Sequence, residues 1–228
     1  MAGRELEGAR VAVVGASGVL GSLVARELAG RGARLLLVGR DRARLEAPGL
    51  DAPVVVGDLG DATTGDAVVD RARESLGGLD GPVNAAGIVA FGPLVDTPDE
   101  VVEELFLTNV VGPIFLLRRV LPLLTESRGF VLQVSAVVAE RAMPGMAAYS
   151  ASKAALSAVD SALRTELRRA GVEVYDVRPP HTETGLATRP VAGSAPGLPA
   201  GKDPAEGARR VVDALVVGES DLPASAFG

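Results

Sequence analysis

No cysteine occurs in the 228-residue chain. Disulfides, thiolate metal sites and cysteine nucleophiles are therefore all excluded, and a reducing compartment is expected. Tryptophan is absent too, and all aromatics together make up 3% of the residues. Basic clusters are lacking and the net charge is -6, which argues against nucleic acid, whose phosphates demand a positive surface. No apolar run reaches the roughly 18 residues of a membrane span. The opening "MAGRELEGARVAVVG" has an acidic lead and a strand-length apolar run where a signal peptide would have a basic end and an apolar stretch. These absences predict a cytoplasmic protein with no membrane and no nucleic-acid partner. Lysine is nearly missing as well: only Lys153 and Lys202 occur in a chain that uses arginine freely, and His181 is the one histidine.

What is present is a series of short apolar runs, "RVAVVG", "ARLLLVG", "APVVVGD", "GPVNAAG", "GFVLQVS" and "VEVYDVRP", alternating with stretches of helical length. The runs lack polar/apolar alternation, as strands buried on both faces should. The order predicts an α/β fold of Rossmann type over residues 1–228: a doubly wound parallel sheet with helices on both faces, in one domain. "TPDE" at 97–100 has a capping-box pattern, and Gly171 follows "ELRRA" where a helix should stop. Residues 179–204, rich in Pro, Gly and Thr, have no regular period; they read as a substrate loop or lid, or else as an irregular insertion.

"VVGASGVLG" joins the first strand to the first helix. Gly15, Gly18 and Gly21 are spaced to tighten the turn, admit a pyrophosphate and pack helix on strand, with the anion on the helix N-terminus. A second-strand carboxylate would accept from an NAD ribose, but Gly39 stands there, followed by Arg40, whose guanidinium suits a 2′-phosphate. NADP is expected over NAD. Arg40 can also be read as a solvated charge at a helix start, next to Asp41. Asp58 and Leu59 close the third strand where an adenine would be flanked; Asp58 reads equally as a strand-end cap.

Tyr149 and Lys153 lie four residues apart, which puts both on one helical face. A phenol of pKa about 10 needs roughly 4 kcal/mol of selective stabilisation to titrate near 7. A neighbouring ammonium has the right sign for this, so the pair could exchange a proton with a carbonyl or an alcohol.

The chain resembles the short-chain dehydrogenase/reductase family over nearly its whole length. "GASGVLG", "GDL", "NAAG", "TNVVG", "VSA", "YSASK" and "RPPHTET" fall in the family's order. The resemblance implies an NAD(P)-dependent oxidoreductase, with Tyr149 as general acid/base, Lys153 on the nicotinamide ribose and Asn109 holding a water in a proton relay. It also implies cofactor contacts at Gly15, Ser17, Gly18, Leu20, Gly21, Asn84, Ala85, Pro179, Thr182 and Thr184, no metal, and a homodimer or homotetramer. The apolar faces of 101–125 and 149–170 are where such a pairing is expected.

Several positions depart from the family pattern. Val19 occupies a usual glycine position, Ala85 a usual asparagine and Pro180 a usual glycine. The ending "ESDLPASAFG" lacks the usual last strand. Ungapped alignment from Tyr149 puts Ala136, not Ser135, at the catalytic serine. Either Ser135 swings in, or a hydroxyl such as Thr182 or Thr184 substitutes, or the reductase chemistry has decayed. Three functions follow: reduction or oxidation of a small hydrophobic ketone, aldehyde or alcohol; dinucleotide sensing without turnover; or isomerisation or dehydration on the same fold. "AMPGM" hints at an apolar ligand. His181 reads as a carbonyl-polarising group or as a plain loop histidine.

Overall fold

The computed structural model describes residues 3–228. Each of the six apolar runs forms a strand: β1 (Arg10–Val14), β2 (Arg34–Gly39), β3 (Val54–Val56), β4 (Gly81–Asn84), β5 (Phe130–Val134) and β6 (Glu173–Val177). A two-residue β7 (Asp221–Leu222) pairs with β6, so the atypical C-terminal sequence still makes a seventh strand, though a very short one. All pairings are parallel and the order is β3-β2-β1-β4-β5-β6-β7. The reversal of winding between β1 and β4 opens a crevice at the strand C-termini.

Strand parity sorts the apolar side chains into two layers. Val11, Val13, Leu35, Leu37, Leu132 and Val177 face α1 (Val19–Gly30) and α8 (Pro204–Val217). Ala12, Val14, Leu36, Val38, Val131 and Val174 face the opposite way, toward α3 (Thr63–Leu76) and α5 (Gly112–Ser127). On that second side also lies α7 (Ala147–Glu166), next to β6. The remaining helices, α2 (Arg42–Glu46), α4 (Asp99–Phe106) and α6 (Val137–Glu140), are short and sit around the crevice.

The helical stretch Asp99–Ser127 is long and apolar enough by composition to cross a membrane. Here it is a core element, since Leu116, Leu117, Val120 and Leu124 pack into the second apolar layer. A π turn at Leu107–Val111 interrupts it and carries Asn109; such turns favour functional sites. The expected capping box at 97–100 does not form: Thr97 Oγ1 donates back to the Pro93 carbonyl at 3.0 Å, and Pro98 stands at the helix start. Gly171 ends a helical turn with φ of 74°, as its place after "ELRRA" suggests.

Candidate active site

The first helix opens directly out of β1. Gly15 has φ of 78°, and a Cβ on it would lie 2.7 Å from the Ala86 nitrogen, so only glycine lets the β1 turn meet the "NAAG" turn after β4. A Cβ on Gly21 would lie 2.2 Å from the Gly15 carbonyl. Gly18 is the N-cap residue, so the N–H groups of the first turn of α1 are left without helical partners. Val19, at the usual glycine position, is the first helical residue, and its side chain borders the crevice. No positive φ is needed there, which is why valine fits.

At the end of β2, a Cβ on Gly39 would come 2.8 Å from Ser17 Oγ and 3.2 Å from Leu45 Cδ2, so glycine there leaves room for both side chains and supplies no carboxylate to a ribose. Arg40 and Arg44 both border the crevice. Asp41 is turned to other work, accepting from the Arg44 amide at 3.1 Å as the N-cap of α2. Asp58 lies 3.6 Å from Arg40 in an exposed pair, and its other oxygen accepts from the Gly60 amide at 2.8 Å. Exposed pairs of this kind are weak, which leaves Arg40 able to take a stronger anion.

Tyr149 and Lys153 project from the start of α7 into the middle of the same crevice, 6% and 3% exposed. Burial pushes the Tyr149 phenol well above its usual range. Burial also lowers the Lys153 ammonium to about 8, against the opposing pull of Asp176 and Asp160. Lys153 Nζ donates to the Val134 carbonyl at 3.1 Å, and a Cβ on Gly87 would sit 3.1 Å from that nitrogen. The amine is thus held between the end of β5 and the turn after β4.

Asn109 is fully buried behind these groups. Its side chain clasps Ile88, accepting from the amide at 3.0 Å and donating to the carbonyl at 3.0 Å, and it donates to Ser152 Oγ at 3.0 Å. With both amide protons used, the side chain holds the loop after β4 against α7. Asn84 corrects a sequence expectation. It is buried, donates to Gln133 Oε1 at 2.7 Å and accepts from the Ala86 amide at 3.2 Å, so its side chain braces the turn from behind and does not line the crevice.

Ser135 is the second correction. Its hydroxyl donates to Asp176 at 2.7 Å and receives Ser157 Oγ at 3.3 Å, on the β5 face that packs against α7. The proton that a substrate oxygen would need is committed elsewhere, so Ser135 does not replace the serine missing at Ala136. Thr182 is also engaged, donating to the Pro180 carbonyl at 2.9 Å. Thr184 Oγ1 receives the Leu186 amide at 3.4 Å and keeps its own proton.

The crevice encloses about 380 Å³ and continues past Tyr149 into an apolar end, a size within the range of small-molecule sites. Val89, Phe91, Val138, Met143, Met146 and Leu186 line that end. The methionines follow from "AMPGM"; Val89 and Phe91 were missed, although "GIVAFG" directly after "NAAG" is the run that carries them. Arg44, four residues after Arg40, was missed too. Residues 179–203 form the far wall and are anchored at both ends. Val191 donates to Val89 at 2.9 Å and Phe91 to Ala192 at 3.0 Å, while the Glu183 amide donates to the Lys202 carbonyl at 3.0 Å and the Lys202 amide to the His181 carbonyl at 2.8 Å. His181 borders the crevice with Nε2 directed to Glu183 at 3.5 Å.

A family described as short chain dehydrogenase matches residues 9–193. The chain belongs to the short-chain dehydrogenase/reductase family. It is 34% identical over 195 residues to a short chain dehydrogenase of Pseudocercospora fijiensis, covering 80% of this chain and 62% of that protein. It is 32% identical over 198 residues to gluconate 5-dehydrogenase of Gluconobacter oxydans, covering 82% and 76%. Among solved structures, a short chain dehydrogenase from Burkholderia cenocepacia in complex with NADP superposes with a TM-score of 0.86 at 25% identity, over 96% of this chain and 89% of that one. An alcohol dehydrogenase from Thermococcus sibiricus complexed with 5-hydroxy-NADP superposes at 0.81 with 26% identity, over 91% and 90%. The family uses nicotinamide dinucleotides to reduce or oxidise small molecules, and the glycine turn, the Tyr149–Lys153 pair and the enclosed apolar end are the parts that such a reaction needs.

Proposed function

We propose that the chain is an NADP-dependent oxidoreductase that interconverts a carbonyl and an alcohol on a small apolar molecule. The observation that carries this reading is the convergence of Tyr149 and Lys153 on the crevice whose other end is the glycine turn. The turn fits the cofactor: glycine at 15 and 21 lets the backbone after β1 close tightly against the "NAAG" turn and the start of α1, and the first turn of α1 offers free N–H groups to a pyrophosphate. Arg40 and Arg44 would hold the 2′-phosphate, with Asp41 withdrawn into its capping role; this favours NADP over NAD. The two superposed structures carry NADP or a derivative of it.

When bound, the nicotinamide supplies or accepts the hydride. Lys153 holds positive charge beside Tyr149 below a pH of about 8, lowering the cost of ionising a phenol that burial alone makes a poor acid. Tyr149 then gives a proton to the substrate oxygen in reduction or takes it in oxidation. Val89, Phe91, Met143 and Met146 receive the apolar part of the substrate and exclude water. Thr184, with a free hydroxyl proton, is the remaining hydroxyl that can assist at this end.

The test is NADPH oxidation across a panel of apolar ketones and aldehydes. Turnover that falls at least a hundredfold in Tyr149→Phe supports the reading; no turnover in the wild type, or an unchanged rate in the variant, overturns it. A second reading has one observation in its favour: Ala136 removes a donor, so the chain could bind NADPH without turnover. Tight NADPH binding with no product on any panel member selects it. The exposed face of α7, with Ala147, Ala151, Ala154 and Ala158, would pair with a second copy across a two-fold axis. Sedimentation showing only monomer at micromolar concentration would exclude that pairing.

A further inference from the structure

A row of polar side chains crosses the sheet beneath α7. Asn84, Gln133, Asp176 and Asp221 are register partners on β4, β5, β6 and β7. At the outer end, Arg178 closes the row, donating to Asp176, to Asp221 at 2.6 Å and to Glu140 at 2.7 Å. At the inner end, Ser135 binds Asp176, and the backbone just before it receives Lys153. Above the row, from α7, comes Asp160.

Asp160 has no exposed surface, and neither of its oxygens has a hydrogen-bond partner among the described residues. Gln133 Nε2, which also lacks a partner at good hydrogen-bond geometry, lies close enough to Asp160 to favour its ionised form in part. An ionised carboxylate left this way is among the costliest arrangements in a protein interior, and such a group keeps its proton instead. The charged groups around it are Asp176 on β6, Arg178 beyond it, and Arg164 and Lys153 on α7 itself. Arg178 is already shared among three acids and Arg164 donates to two backbone carbonyls. Lys153 makes no ion pair among the described residues, and its one hydrogen bond is to a carbonyl.

We propose that Asp160 is a switchable counter-charge to Lys153, and so a positioning residue for the Tyr149–Lys153 pair. The inference rests on the reading of that pair as the acid/base group. Burial, and then the negative charge of Asp176, hold the Asp160 proton up to about 8, while Gln133, Arg164 and Arg178 pull the other way. Lys153 loses its proton in the same region. Lys153 and Asp160 stand two helical turns apart on the buried face of α7, and the Asp160 charge, after that of Asp176, supports the Lys153 ammonium, so the two titrations are coupled. As alkali is added, each Asp160 that ionises keeps a neighbouring Lys153 charged, so the positive field at Tyr149 survives to higher pH than the amine alone would allow.

Because the chain has only Lys153 and Lys202, protein labelled with 13C at lysine Cε gives two side-chain resonances, assigned by Lys202→Arg. Asp160→Asn keeps the shape of the protonated acid and removes its titration. The midpoint for Lys153 is expected to fall by about half a unit to one unit, and its curve to become a simple one-proton transition. Glu166→Gln, an exposed acid on the same helix, should leave it unchanged. Superimposable Lys153 curves in wild type and Asp160→Asn overturn the proposal. Should Asp160→Asn lose its circular-dichroism signature, Asp160→Ser is measured in its place. In carbonyl reduction the alkaline limb of the pH profile should move down with the lysine midpoint, with the Michaelis constant for NADPH unchanged. If the lysine midpoint moves but no substrate is ever turned over, the counter-charge stands and the acid/base reading falls.

Discussion

Ser135 donates its hydroxyl proton to Asp176 at 2.7 Å, across the β5–β6 pair and beneath α7. The hydroxyl of the serine in "VSA" is therefore part of the fold's polar support; Ser135 and Ala136 both border the crevice, but the Ser135 proton is directed to Asp176. A one-residue step along a strand end reverses the face, so the two positions cannot exchange roles without breaking the bond to Asp176.

Ala136→Ser should raise kcat for carbonyl reduction by about 100- to 1,000-fold, with little change in the Michaelis constant, because a donor acting on the developing oxyanion is worth roughly 2.7–4 kcal/mol. Ala136 has extended φ and ψ of -172° and 162°, which serine adopts freely. Ser135→Ala should do the reverse of what its place in the motif suggests. It leaves Asp176 short of a hydrogen bond and lowers Tm by about 3–10 °C, with turnover per folded molecule unchanged. Stopped-flow rates and thermal melts on both variants check the pair; a hundredfold loss of kcat in Ser135→Ala would return that serine to the reaction.

Selection of NADPH over NADH should depend on Arg40 and Arg44 together. Arg40→Ala gives up its exposed pair with Asp58 at little cost, so the effect on folding is small. The Michaelis constant for NADPH should rise by roughly tenfold or more, and that for NADH should barely move, as expected when a charge-assisted contact to phosphate is removed. Arg44→Ala should act in the same direction. Steady-state kinetics with both cofactors decides; equal effects on NADPH and NADH would mean that the arginines do not read the 2′-phosphate.

The strands were legible because most are buried on both faces and read as short β-branched or leucine-rich runs, from "RVAVVG" to "VEVYDVRP", with few polar interruptions. The glycine turn and the Tyr149–Lys153 spacing were legible because backbone contact and helix periodicity leave a local trace. The direction of side chains beyond those periods was not. Asn84 and Ser135 stand in motif positions, yet the side-chain protons of both are engaged by partners far along the chain, Gln133 and Asp176, 49 and 41 residues on. Thr97 failed as a cap because the Pro93 carbonyl came within reach. The apolar end was only half seen: Met143 and Met146 stood out in a methionine-poor chain, whereas Val89 and Phe91 resemble any other core residues.

Gly15→Ala should abolish dinucleotide binding while leaving most of the fold in place. The added methyl would enter the space held by Ala86, at 2.7 Å, on a backbone with φ of 78°. The adjustment displaces the turn that receives the pyrophosphate. Fluorescence titration with NADPH should show at least a hundredfold weaker binding, beside a far-ultraviolet circular-dichroism spectrum close to wild type. Binding retained within threefold would show that the phosphates lie elsewhere.

The buried acid also makes a claim on stability. Asp160 is raised from an ordinary 3.8 to about 8 in the folded chain, so the fold favours its neutral form. The stability this group contributes is complete below a pH of about 4 and is lost as pH rises through about 8, because the unfolded chain ionises first. Lys153 has the opposite sign. Its lowered value gives stability that is present above the unfolded lysine range and is lost as pH falls through about 8. Asp160→Asn removes the acid's part and, by lowering the Lys153 midpoint, alters the lysine's part by a smaller amount, because that shift is well under the acid's own. The Tm difference between variant and wild type should therefore be small at pH 4 to 5, grow across neutral pH and level off above about 8, reaching roughly 5 °C or more in favour of the variant. Scanning calorimetry through that range checks the shape of the curve. A difference that is flat with pH would mean that Asp160 is ionised in the folded protein, with a partner for its charge.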